Sequence, residues 1–62
     1  MTPLSEREKT ILRLLARNHS VATVATVLGV GDDRASREMS AAQTHLEALR
    51  LAEVDPFTGE AA

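Results

Sequence analysis

The chain contains no cysteine, so neither disulfides nor thiolate-bound zinc can staple it. Aromatic residues are almost missing, with Phe57 standing alone. That excludes the aromatic stacking platforms that hold single-stranded nucleic acid. Lysine is scarce as well: of the seven basic residues only Lys9 is Lys. No apolar run approaches membrane-spanning length, and the N-terminus lacks a basic-then-apolar signal pattern. The expectation is a cytoplasmic protein with no membrane partner.

What is present is an ordinary globular mixture, 44% hydrophobic and 26% charged. At 62 residues the chain makes one small domain, whose stability must come from helix packing or from a partner subunit. The net charge is −2. Residues 1–37 hold six bases and four acids, whereas residues 38–62 hold one base and five acids. The acidity therefore lies mainly in the C-terminal part. A basic balance is the usual footprint of a nucleic-acid binder, so the overall sign counts against that function and the N-terminal part counts for it.

Three helical segments are predicted. Ser5-Glu6-Arg7-Glu8 fits a capping box, after which Ile11, Leu12 and Leu15 share one face with Leu4. Arg13 and Arg17 share another face, and Asn18 is a plausible left-handed stop. Ser20 caps a second segment with Val21, Val24, Ala25 and Leu28 at helical spacing. Its Val and Thr content also suits a strand, but its cap and the closing Gly29 favour a short helix. After the turn Gly29-Val30-Gly31, Asp32 or Asp33 opens a third helix over about residues 32–49. Ala35, Met39, Ala42, Leu46 and Leu49 mark its apolar stripe. Residues 51–54 read as helix or short strand, and Asp55-Pro56-Phe57-Thr58-Gly59 as a turn. The fold class is thus all-α, a three- to four-helix bundle of helix-turn-helix type without a complete wing. Residues 1–54 form the domain and residues 55–62 a C-terminal turn or flexible tail.

Helix, tight glycine turn and longer helix is the arrangement that places a second helix in the major groove of DNA. At 100° per residue, the direction opposite the apolar stripe collects Asp33, Arg34, Arg37, Ser40, Ala41 and Thr44, with Ser36 at the side. Arg37 points most directly outward, and Arg reads guanine through two hydrogen bonds. Ser40 and Thr44 can bond bases or phosphates, and Ala41 can touch a thymine methyl. Arg13 and Arg17 are candidate backbone contacts.

Residues 4–16, Leu-Ser-Glu-Arg-Glu-Lys-Thr-Ile-Leu-Arg-Leu-Leu-Ala, resemble the opening of the LuxR-type (GerE/NarL-like) helix-turn-helix domain. Ser20, Ala25 and Leu28-Gly29-Val30 are similar to that family's second-helix cap, small core residue and turn. The pattern is shared in part with the sigma-factor region-four helix-turn-helix. The likeness covers about residues 4–46. It implies a four-helix DNA-binding domain of a bacterial or phage regulator, a homodimer on duplex DNA, with contacts at Ser36, Arg37 and Ser40. Departures are plain: Ser36 replaces a common Lys, Gly31 replaces a Ser cap, and Val21-Ala22-Thr23 lack the family's basic residue. Asp32 and Asp33 place acids near the expected phosphates, so binding is expected to be weak and salt-sensitive.

Other chemistries find little support. His19 and His45 lie on different segments, the first read as a loop and the second as a surface residue, so neither a metal nor another cofactor is expected. No Ser/His/acid pattern indicates a nucleophile, Gly29 and Gly31 do not make a phosphate loop, and so small a domain offers little room for a substrate. The expectation is not an enzyme. The rival function is a protein-binding helix-turn-helix shell, an adaptor for RNA polymerase or a sigma factor, or an oligomerisation module. Leu46, Leu49, Leu51 and Val54 would form its dimer or partner surface.

Overall fold

Ser5 starts the first helix as its sequence predicts. In the computed structural model, which describes residues 2–61, the Glu8 amide donates to Ser5 Oγ (3.1 Å) and the Ser5 amide donates to Glu8 Oε1 (2.9 Å). Helix α1 then runs Glu6–Ala16. Ser20 starts α2, Val21–Leu28, by accepting from the Thr23 amide (3.3 Å). The ambiguous Val-rich segment is therefore helical. Helix α3, Asp32–Leu51, begins at Gly31 without a side-chain cap, and Asp32 and Asp33 instead place negative charge at its positive end. The architecture is all-α with three helices. The fourth helix implied by the family resemblance has no counterpart among the described residues.

All three helices end in the same hydrogen-bond pattern, in which a left-handed residue lets the chain double back on the last turn. After α1 that residue is Asn18 (φ 61°), with amide bonds from Asn18 to Leu15 and from His19 to Leu14. After α2 it is Gly29 (φ 71°), with bonds from Gly29 to Thr26 and from Val30 to Ala25. After α3 it is Glu53 (φ 55°), with bonds from Glu53 to Arg50 and from Val54 to Leu49. Glycine and Asn adopt this conformation cheaply, whereas a glutamate there costs about 1–2 kcal/mol. Glu53→Gly is accordingly expected to stabilise the protein by about 0.5–1 kcal/mol, the gain being reduced by the freer unfolded chain. Urea unfolding checks it; an unchanged or lower midpoint would show that the strain is relieved elsewhere.

Helix α3 is the centrepiece, packing against both α1 and α2. Its 20 residues span about 30 Å, which accounts for most of the molecule's 34 Å length. Ile11, Val24, Ala25, Ala35 and Ala42 form the buried cluster, with Leu14, Leu15, Leu28, Val30 and Met39 packed around it. Val30 plugs the core from the turn, as a single apolar residue between two glycines should. Ala35 and Ala42 have no exposed surface, so their small size is what lets the neighbouring helices come close. Among the described residues no polar or charged side chain is fully buried.

Leu49 corrects the sequence reading. It belongs to the expected stripe of α3, but it is completely buried within the chain and cannot be part of a partner surface. Leu46 and Val54 are half-buried, and only Leu51 of that set stands clear, 78% exposed. The C-terminal segment turns back rather than trailing away. Val54 and Ala61 form an isolated antiparallel bridge, the Asp55 amide donates to the Glu60 carbonyl (2.7 Å), and the Leu4 amide donates to the Pro56 carbonyl (2.8 Å). Among the described residues there is no β-sheet, and no helix is long and apolar enough to cross a membrane.

Candidate nucleic-acid interface

Helix α3 presents its outward side along an unbroken helix, because no Gly or Pro interrupts residues 32–51. Ala35, Ala42 and Leu49 fall seven apart on the buried side, so the residues on the opposite side of the helix project outward. Arg34, Ser36, Arg37, Ser40, Ala41 and Thr44 are all exposed. The expected face is therefore bare.

Its charges are not equally free. Glu38 is held by Arg7 of α1 through two hydrogen bonds, one of them 3.0 Å long from a terminal guanidinium nitrogen, and Arg34 Nε lies 3.5 Å from the same carboxylate. The Arg7 hydrogen bond is the main reason that the Glu38 carboxyl is held below the usual carboxylate range. Arg34 is thus partly neutralised, whereas Arg37 makes no ion pair among the described residues. The three arginines Arg7, Arg34 and Arg37 are balanced by Asp32, Asp33 and Glu38. The local field is nearly neutral, with Arg37 the one unpaired cation on this face.

Arg13 and Arg17 stand elsewhere. Arg13 lines a cleft with Leu46 and Arg50, and Arg50 lies thirteen residues from Arg37, about 20 Å along the helix axis. Arg17 is exposed at the end of α1 and makes no ion pair or side-chain hydrogen bond among the described residues.

His45 is not the free surface residue expected from the sequence. It is half-buried between α1 and α3, with Nδ1 3.0 Å from both Glu8 oxygens and Nε2 3.0 Å from the Thr2 carbonyl. Glu8 therefore caps α1 and also anchors α3. Burial raises its carboxyl pKa, but hydrogen bonds from the Ser5 amide and from His45 outweigh burial and leave it below the ordinary value. A carboxylate depressed in the folded state contributes stability above its unfolded pKa, and that contribution is lost as pH falls through the folded value. Between about pH 5 and about pH 3 the native protein should lose more stability than Glu8→Gln, which has no such titration. Thermal unfolding across that range checks it, and parallel curves would refute the role of Glu8. His19 is exposed between α1 and α2. Among the described residues no three His, Asp or Glu side chains gather to hold a metal.

The tertiary pairs Arg7–Glu38 and Glu8–His45 join residues 31 and 37 apart in sequence. Sequence reasoning missed both, and the one available signal was that Glu38 and His45, seven apart, share a flank of α3. Comparison with known proteins matches no family model, no curated protein and no solved structure.

Proposed function

We propose that the chain is a duplex-DNA-binding helix-turn-helix module that acts in transcriptional control. The observation that carries this reading is the exposed, uninterrupted outer side of α3, where unpaired Arg37 stands among Ser36, Ser40, Ala41 and Thr44. Small residues around one long donor allow the helix backbone to approach base edges while Arg37 reaches a guanine. The three-residue turn between α2 and α3, and the resemblance of residues 4–46 to LuxR-type domains, support it further. On this reading Arg34 and Ser36 assist at the phosphates, with Arg17 as an outlying backbone contact.

The near-neutral field around Arg37 sets the strength. Phosphate neutralisation supplies most non-specific affinity, and one free arginine releases few counterions. Binding by a single chain is therefore weak and confined to low salt, and a homodimer on a two-fold site is the natural way to raise it. A duplex selected from a random library is titrated at low and moderate salt. Arg37→Ala is expected to weaken binding to the selected site by about 1–3 kcal/mol, the value of one good base contact. An unchanged footprint and affinity in that variant would remove Arg37 from the interface, and with it this function.

One observation favours a second reading, a protein-binding module directed at RNA polymerase or a sigma factor, or at a further copy of itself. Leu51 and Phe57 remain 78% and 63% exposed beyond the bundle, in the acidic part of the chain. Sedimentation with and without DNA separates the two: a dimer that ignores DNA at low salt supports the second.

A further inference from the structure

The packing of the C-terminal turn against α1 creates a cleft that the DNA-binding reading does not use. Leu12 of α1, Leu46 of α3 and Phe57 of the turn are apolar lining residues, and Lys9, Arg13 and Arg50 are the charged ones. Leu4 and Pro56, joined by the backbone hydrogen bond already described, complete the lining. The cleft has a volume of about 360 Å³, within the range of small-molecule sites. It is too small for a docked helix, whose diameter with side chains is about 10–12 Å.

The charge of this cleft is distinctive. The chain as a whole carries −2, yet all the charged residues lining the cleft are cations. Arg13 and Arg50 make no ion pair among the described residues. Lys9 contacts Glu6 (3.2 Å), whose side chain is 91% exposed and does not line the cleft. Lys9 Nζ also sits 5.6 Å from the centre of the Phe57 ring, which positions it over one wall. Two unpaired guanidinium groups beside an apolar surface satisfy the requirements of a ligand with an oily body and an anionic head. Water alone would leave the apolar walls unpaid and the cations merely solvated.

We infer that this cleft binds a small amphiphilic anion, with an aliphatic body against Leu12, Leu46 and Phe57 and its carboxylate between Arg13 and Arg50. The ligand class is a medium-length alkyl carboxylate. Both arginines can offer paired N–H donors to a carboxylate, which a lysine cannot. The inference stands independently of DNA binding, since Arg37 takes no part in it.

Phe57 supplies a direct probe, because it is the one aromatic ring besides the two histidines. Decanoate, kept below its micelle-forming concentration, is titrated into the full chain while the Phe57 ring protons and the Leu12 and Leu46 methyl groups are followed by NMR. The expected result is saturable shifts centred on these three residues, with decanol and decyltrimethylammonium failing to saturate at the same concentrations. Arg13→Gln with Arg50→Gln should weaken decanoate at least about tenfold, as expected for loss of charge-assisted hydrogen bonds. Both side chains are exposed, so the fold should survive, and unchanged helical circular dichroism confirms that it has. Should that variant nevertheless unfold, the comparison of decanoate with decanol in the native chain decides alone. Equal binding of decanol, shifts spread over the whole surface, no saturation, or full affinity in the folded double variant would each overturn the inference.

Discussion

Leu49→Ala is expected to lower the stability of the isolated chain by about 2–4 kcal/mol, the range for truncating a buried leucine. The side chain is fully buried, so its loss removes apolar burial and leaves a cavity. A domain of this size seldom holds more than about 3–5 kcal/mol in all, so the variant should be mostly unfolded near 37 °C. Its midpoint should drop by more than about 10 °C, since each kcal/mol moves a small domain by roughly 4–8 °C. Leu51→Ala is the control: at 78% exposure it should change stability by no more than about 0.5 kcal/mol. Thermal and urea unfolding at several protein concentrations distinguish this from an intermolecular role. A Leu49→Ala protein of native stability but altered association would return Leu49 to a partner surface.

Enlarging Ala42 should be damaging in the opposite sense. Ala42 has no exposed surface and belongs to the cluster with Ile11, Val24, Ala25 and Ala35. Leucine has the higher hydrophobicity and nearly the same helix propensity, so local preferences alone predict a neutral or favourable change. The packing predicts otherwise. Extra methylene groups at a closed helix contact force off-rotamer side chains or separation of the helices, costing about 1–3 kcal/mol. Ala41→Leu, one residue along and exposed, should be tolerated. Equal stability of the two variants would mean that α3 sits in a looser groove than its buried alanines indicate. The same measurement bears on the proposed interface, because displacement of α3 moves Arg37 with it.

Much of this architecture was readable because it depends on short-range interactions. Ser5 and Glu8 are three residues apart, as are Ser20 and Thr23, so their caps follow from neighbouring residue types. Asn18 and Gly29 announce left-handed stops for the same reason. Glu53 does not, since nothing about a glutamate suggests positive φ; the downstream Val54 and its bond to Leu49 hold it there. Periodicity likewise placed Ala35, Ala42 and Leu49 on one side of α3 and Arg34, Ser36, Arg37, Ser40, Ala41 and Thr44 elsewhere.

Order in the chain could thus decide where each helix begins, where two of the three stop, and which side of α3 is oily, because each depends on residues within a few positions of one another. It could not decide what lies over that oily side. Residues 54–61 folded back and completed the cationic cleft, Leu49 became buried and Leu51 stayed outside, while Glu38 and His45 found partners on α1. Those outcomes join groups distant along the backbone, and only packing in three dimensions brings such groups within contact range.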